Sequence, residues 1–146
     1  MNRKTKKNIL ITVLLLTLLA ACFGYYLYNK GPMDIKSSAA DKINATELYQ
    51  LFITDSTRAL KKYAGQVLQV KGIVNGISAN QQKQKIILLR TTAAGAYINC
   101  TMEEDPGKIN MNDEIEVKGI CSGIGQGDED LGIKGDVYLT RSFLIQ

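Results

Sequence analysis

The longest apolar stretch of the chain lies near its beginning. A basic run from Arg3 to Lys7 is followed by 21 uncharged residues from Asn8 to Tyr28, which are rich in Leu, Ile and Val. A helix of that length rises ~30 Å, which matches the hydrocarbon thickness of a bilayer. The pattern predicts an N-terminal membrane anchor over residues 1–30, with a transmembrane helix at about 8–28. The basic run before the span places the N-terminus in the cytoplasm and the rest of the chain on the periplasmic or extracytoplasmic side.

The same segment supports a second interpretation. Leu19-Ala20-Ala21-Cys22 resembles the lipobox of bacterial lipoproteins, and a basic run and an apolar stretch precede it. Cleavage before Cys22 would make this cysteine the lipidated first residue. Against this, the apolar run continues past Cys22 through Phe23 and the following tyrosines. Both alternatives stay open, and in both cases the rest of the chain lies on the extracytoplasmic side of the membrane.

Residues 31–43 contain Gly, Pro, Ser, Ala and charged residues with little apolar content, which predicts a linker. A helix is expected next, from about Thr46 to Ala64. It is expected to start at a Thr46 cap, to end at Gly65, and to break near Thr54 to Thr57, where helix propensity is weak. The apolar positions at near-helical spacing are Leu48, Leu51, Phe52, Leu60 and Tyr63.

The remainder of the chain shows the alternation of β-strands. Leu68, Val70 and Val74 share one face of residues 66–77, and polar residues occupy the other face. Four further strands are predicted at 85–90, 96–102, 114–122 and 137–145. Five strands separated by turn-rich segments favour a small barrel or a sandwich.

A short internal repeat favours the barrel. The segment from Val70 to Ile77, VKGIVNGI, is matched by VKGICSGI from Val117 to Ile124. A glycine inside a strand weakens it unless it relieves curvature or allows close approach. Two strands with this feature are typical of sharply coiled strands in a closed barrel. Coincidence within short β-rich segments is the alternative.

The helix and the segments around Tyr63 to Val74, Ile98 to Cys100 and Asp113 to Gly123 resemble the tRNA-anticodon-binding-like (tRNA_anti-like) group of OB-fold proteins. The resemblance covers residues 44–146 and implies a mainly β fold, a five-stranded OB-fold Greek-key barrel preceded by an α-helix. The resemblance includes the N-terminal anchor, which many short bacterial members of this group also have. It does not imply tRNA binding, because function belongs to sites rather than to folds. Members often carry a cysteine in the last strand, where this chain has Ser142 or a neighbour.

The net charge of +4 comes from the N-terminal segment. Five of the eighteen basic residues precede Gly31, which leaves thirteen against fourteen acidic residues in the rest. The predicted domain is therefore slightly acidic, which argues against sequence-independent phosphate binding. The chain has no histidine and no glycine-rich phosphate loop, so we expect no Ser-His-Asp or Cys-His catalysis, no enzymatic activity and no cofactor.

Two cysteines, Cys100 and Cys121, lie in the predicted domain. Strand parity places both on inward faces. In OB topology the fifth strand separates the third from the fourth, so we favour two buried free thiols over a disulfide. The disulfide stays open as an alternative.

Two acidic loops, at 103–105 and 128–130, carry carboxylates next to glycine. Such clusters can bind calcium, but neither has the EF-hand spacing and solvated turns are the usual outcome. We therefore predict no metal site.

Two tyrosines are the candidate ligand-binding side chains. Tyr97 and Tyr138 are expected to point outward, where an OB-fold stacks its ligands, with Lys71, Lys118 and Arg90 flanking them. Ordinary half-buried strand tyrosines are the alternative. We predict a non-catalytic, membrane-anchored, exported OB-fold module that binds a protein, peptide or oligosaccharide of the cell envelope. The alternative function is a nucleic-acid-binding OB-fold protein.

Overall fold

A computed structural model describes residues 3–29, 31, 34–128 and 130–145, with side-chain surroundings from residue 8 onward. Parts of the expected anchor (1, 2 and 30), linker (32 and 33) and second acidic loop (Glu129) lie outside the described residues. The chain divides into two compact units, Met1–Met33 and Asp34–Gln146.

The first unit contains helix α1, Arg3–Asn29. Its segment Asn8–Asn29, 22 residues long, is long and apolar enough to cross a membrane. No other helix within the described ranges meets that condition. Such a helix near an N-terminus fits either a membrane anchor or a signal sequence.

The predicted broken helix is confirmed as two helices, α2 (Ala45–Thr54) and α3 (Ser56–Tyr63). The break falls at Asp55, whose side chain accepts a hydrogen bond from the backbone N–H of Arg58 at 2.9 Å and so caps α3. The expected cap at Thr46 is wrong, because a strand runs directly into α2 and Asn44 occupies the N-cap position.

Six strands form one sheet. They are β1 (Asp41–Asn44), β2 (Val67–Ala79), β3 (Lys85–Arg90), β4 (Tyr97–Met102), β5 (Glu114–Ile124) and β6 (Val137–Ile145). The five predicted strands correspond to β2 to β6, and β3 and β6 have the predicted bounds. Strand β1, which pairs parallel with β2, was not predicted.

Strands β2 to β6 close into a barrel. Antiparallel pairs join β2 to β3, β3 to β4 and β5 to β6, while β4 and β6 pair parallel. The barrel closes because the first half of β2 pairs antiparallel with β5. The resulting order, β2-β3-β4-β6-β5 and back to β2, is that of a five-stranded OB-fold Greek-key barrel preceded by helices. The predicted fold class is confirmed.

The two repeated segments meet at their first residues and run in opposite directions from there. Val70 is the cross-strand partner of Val117, and the pairing extends over Val67 to Ile73 of β2. Strand β2 then bends and pairs with β3, with an irregularity between Val74 and Gly76. A Cβ added to Gly72 would lie 2.9 Å from Ala45 Cβ, so this glycine lets α2 approach the barrel.

Helix α2 covers one end of the barrel. Its Leu48, Tyr49 and Phe52 are fully buried, together with the inward side chains of all five barrel strands. Cys100 and Cys121 belong to this core and are unbridged, in agreement with the prediction of free thiols. Strand β6 separates their two strands, as the OB topology requires.

The segment before β1 is packed on the barrel, in contrast to the free linker expected for it. Ile35 is only 1% exposed. The Lys118 ammonium donates hydrogen bonds to the backbone carbonyls of Lys36, at 2.9 Å, and of Ser38. Residues 34–44 therefore belong to the second unit.

Candidate functional site

The outward side chains of β3, β4 and β6 form one continuous surface. Three cross-strand pairs lie across β3 and β4: Ile86 with Thr101, Leu88 with Asn99, and Arg90 with Tyr97. Tyr138 of β6 is in turn the partner of Asn99. We call Leu88, Arg90, Tyr97, Asn99 and Tyr138 the β3–β4 face. The loops at 80–84 and 125–136 frame the binding face of an OB-fold.

Arg90 is the cation of this face, and two amide side chains hold its guanidinium. Its Nε donates to Asn75 Oδ1 at 3.3 Å and its Nη2 donates to Asn112 Oδ1 at 3.0 Å. Both acceptors are neutral amides, and no ion pair to Arg90 occurs within the described chain. The guanidinium is therefore held in place while its remaining N–H groups and its full positive charge face solvent.

The two candidate tyrosines both lie on the β3–β4 face. Tyr97 is half-buried opposite Arg90, and its backbone N–H donates to Asp136 Oδ1 at 2.9 Å. Tyr138 is 40% exposed, and its ring lies against Gly125, where an added Cβ would come within 2.8 Å of it. Each ring therefore exposes only part of its surface to a ligand.

Lys71 lies next to this face rather than within it. Its ammonium is paired with Glu114 at 3.1 Å, on the outer side of β2 and β5. A groove of about 210 Å³ lies between Lys71 and Arg90, and it is also lined by Thr46 and Thr91. The structure therefore brings Lys71, Arg90 and Tyr97 into one neighbourhood.

Lys118 does not flank the tyrosines. It is only 8% exposed, and its ammonium is bonded to the carbonyls of Lys36 and Ser38. The prediction of a ligand-contacting Lys118 is wrong, because this side chain holds the segment before β1 against the barrel.

The first acidic loop is balanced by basic side chains. Glu103 lies 3.9 Å from Arg141, Glu104 lies 2.7 Å from Lys36, and Asp105 lies 2.7 Å from Lys85. The hydrogen bond from Lys85 holds the pKa of Asp105 below its ordinary value. Among the described residues, no group of three or more His, Cys, Asp or Glu side chains is close enough to hold a metal ion.

The second loop presents apolar side chains that sequence reasoning missed. The backbone groups of Asp128 and Ile133 bond to each other at 2.7 and 2.8 Å, which forms a small hairpin. Leu131, at 72% exposure, and Ile133 project from it. This loop was classified from the sequence by its three acidic residues, and its two apolar residues were given no role. Leu131 and Ile133 in a polar, glycine-rich loop were the signal that could have identified this exposed apolar site.

The two thiols of the domain are poor nucleophiles. Burial raises the pKa of Cys100 far above the ordinary thiol range and raises the pKa of Cys121. Because the thiolate is the reactive form, neither cysteine is activated.

These features define an OB-fold protein with an exposed face of aromatic, apolar and cationic side chains. The tRNA_anti-like family matches residues 1–129, and the chain belongs to this family. No protein of curated function matches the chain.

Solved structures with a similar fold include two aspartyl-tRNA synthetases. One, from Leishmania major Friedlin, is described as a putative aspartyl-tRNA synthetase. Its identity to this chain is 11%, the TM-score is 0.44, and the alignment covers 80% of this chain. The other is from Entamoeba histolytica, with 11% identity, a TM-score of 0.42 and 81% coverage. In both cases the alignment covers 23% of the synthetase chain, so this protein corresponds to less than a quarter of either enzyme.

Proposed function

We propose that this protein is a non-catalytic binding module, anchored in a membrane by α1, that uses its β3–β4 face to bind a protein, peptide or oligosaccharide of the cell envelope. The observation that carries the proposal is the composition of that face. Partly exposed Leu88 and Tyr97 lie on the same face as Arg90, whose guanidinium is bonded to two neutral amides, and Tyr138 extends this face onto β6. Aromatic side chains and arginine are the residues most enriched in binding hot spots.

Two sequence features support the membrane location. The apolar segment of α1 has the length of a bilayer span, and basic residues precede it from Arg3 to Lys7. The lipobox-like sequence ending at Cys22 is an alternative route to the same side of the membrane. Mass spectrometry of the extracted protein distinguishes them: a full-length chain indicates the spanning helix, and an acylated chain starting at Cys22 indicates the lipoprotein.

The chemistry of the chain supports a binding role over a catalytic one. No histidine is present to act as a general base. The two thiols of the domain are buried in the barrel core, where burial raises the pKa of both. A polar and aromatic surface without an activated nucleophile is suited to recognition.

The test is site-specific crosslinking of the full chain in its native membrane. A photoreactive residue at position 99, on the β3–β4 face, should give discrete crosslinked products. The matched control is position 61, an exposed position on α3 that is not part of this face. Equal products from both positions, or none from position 99, would refute the proposed binding face. Protease accessibility in spheroplasts tests the location separately: a domain that resists protease until the membrane is permeabilised would lie in the cytoplasm.

Nucleic-acid binding is the second candidate, and one observation favours it. Arg90 and Tyr97 form a direct cross-strand pair, which combines a cation with a stacking surface. The slight excess of acidic over basic residues after Gly31 opposes it. Titration of single-stranded oligonucleotides at low salt decides: salt-dependent binding that is lost in Tyr97→Ala supports this candidate, and no binding excludes it.

A further inference from the structure

A second groove adjoins the one between Lys71 and Arg90. It has a volume of about 250 Å³ and is lined by Lys42, Gln69, Glu47 and Glu116. Asn44 and Lys71 line both grooves, and both grooves lie over the outer side of β1 and β2. We call the two neighbouring grooves together the Arg90 groove.

The excess of positive over negative charge in the Arg90 groove lies at one end. There, Lys71 and Arg90 supply two positive charges against the single negative charge of Glu114, which Lys71 already binds at 3.1 Å. Arg90 itself is held by the amide oxygens of Asn75 and Asn112. This end therefore offers an oriented guanidinium with free donors, the group that binds a carboxylate in bidentate fashion.

The rest of the groove disfavours a chain of phosphates. Glu47 and Glu116 line it together with Lys42, and Gln69 Nε2 donates a hydrogen bond to Glu116. Opposite charges and amides alternate there, which suits the donors and acceptors of a peptide backbone. A polyanion bound at Arg90 would extend toward the carboxylates of Glu47 and Glu116, and these like charges would repel it.

We infer that the Arg90 groove binds an extended peptide segment that places a single carboxylate, from a side chain or from its C-terminus, on the Arg90 guanidinium. The inference rests on the proposed function, since it names the ligand class and adds a groove at the margin of the β3–β4 face. The carboxylate is the specific element, and the remaining groove supplies polar backbone contacts.

The experiment is a titration followed by amide NMR of the full chain in detergent micelles. The probe is a capped pentapeptide with a central aspartate flanked by serine and glycine, and the paired probe carries asparagine instead. The aspartate peptide should shift the amide signals of Thr46, Lys71 and Thr91, and the asparagine peptide should bind about tenfold more weakly, because one charge-assisted contact is lost.

Three variants make the test specific. Arg90→Gln should weaken aspartate-peptide binding about tenfold. Asn75→Asp keeps Arg90 but places a carboxylate where the amide now accepts from Nε, so it should weaken binding as well. Arg58→Gln, which removes the same charge from an exposed position on α3, should bind like the unaltered chain.

Equal binding of the two peptides, or unchanged binding by Arg90→Gln with an intact spectrum, would overturn the inference. Inorganic phosphate that displaces the aspartate peptide at equal concentration would overturn the carboxylate assignment. These outcomes are separable from those of the crosslinking experiment. Crosslinks at position 99 that persist in Arg90→Gln would leave the proposed function standing without a carboxylate site.

Discussion

The ammonium of Lys118 donates a hydrogen bond to the backbone carbonyl of Lys36, 2.9 Å away and 82 residues earlier in the chain. A second bond reaches the carbonyl of Ser38. Buried Ile35 and the ion pair between Lys36 and Glu104 complete the attachment of this segment. Lys118, Ile35 and Lys36 thus fix the segment at 34–38 to the barrel.

The Lys118→Met substitution tests this attachment. Methionine keeps most of the apolar stem but removes the charged donor, so two carbonyls lose their partner. We expect the free energy of unfolding to fall by about 1–3 kcal/mol, the range for charge-assisted bonds at a buried site. Hydrogen exchange at residues 34–40 should accelerate more than exchange in β3 or β4.

The control for this prediction is Lys71→Met on the neighbouring strand. Lys71 makes an exposed ion pair with Glu114, and such pairs contribute roughly 0–1 kcal/mol. Equal losses of stability in the two variants, with no change in exchange at 34–40, would contradict the role assigned to Lys118.

Ser142 is a second site where stability can be tested. Its hydroxyl is fully buried and has no hydrogen-bond partner in the part of the chain that the structure describes, and it faces Gly119 across β5 and β6. Ser142→Ala removes the unsatisfied group, so we expect a gain of about 1 kcal/mol in chemical denaturation. Ser122→Ala, at an exposed serine that bonds Thr140, should change stability by less than about 0.5 kcal/mol.

Gly119→Ala should destabilise the barrel. The added Cβ would lie 3.1 Å from both Ser142 Cβ and the Thr140 carbonyl oxygen, and overpacking of this kind costs about 1–3 kcal/mol. In the Ser142→Ala background the cost should be smaller, because the added methyl also meets the hydroxyl. Equal costs in both backgrounds, measured as a double-mutant cycle, would show that the two positions are uncoupled.

The buried thiols predict a pH dependence on the alkaline side. Burial raises the pKa of Cys100 and Cys121, so both stay protonated in the native state when an unfolded thiol would ionise. Their contribution to stability is complete below the ordinary pKa of about 8.5 and declines as the pH rises above it. Mass spectrometry after alkylation at pH 9 should show Cys100 and Cys121 unmodified in the native protein and modified after unfolding. Rapid native modification of Cys100 would contradict its burial.

Asp34 and Asp105 predict the opposite dependence in acid. A hydrogen bond from Ser37 lowers the pKa of Asp34, and one from Lys85 lowers the pKa of Asp105. The ionised carboxylates therefore stabilise the native state at pH values above the ordinary aspartate pKa of about 3.9. This contribution to stability is lost as the pH falls through the lower pKa of the native state. Carboxyl NMR titration should place both midpoints below the ordinary aspartate value of about 3.9. Lys85→Met should raise the midpoint of Asp105 alone.

Local patterns were sufficient for most of the fold. The alternation around Val70 and the glycine at 72 predicted a curved strand, and the weak helix propensity near Thr54 located the break at Asp55. These features depend on residues close together in the chain. Strand parity also placed Cys100 inward correctly.

The features that were missed depend on distant partners. Strand β1 has four residues, too few for its alternation to be recognised, and it exists because β2 accepts it as a parallel neighbour. Lys118 was expected to face a ligand because strand parity puts it outward. What buries it is the segment at 36–38, whose composition resembles a linker.

Closure of the barrel by β2 and β5 has a consequence for how the protein is made. The residues Gln69 and Glu116, which bond across this pair, are 47 positions apart, and β6 ends at Ile145, so the barrel can close only after all of these residues have been made. Folds dominated by such distant pairings form slowly, in milliseconds to seconds. Until β5 and β6 emerge from the ribosome, β2 and β4 have unpaired edges that invite aggregation. Helix α1 is synthesised before these strands, so a nascent chain can be captured by membrane or export machinery while its barrel is still open.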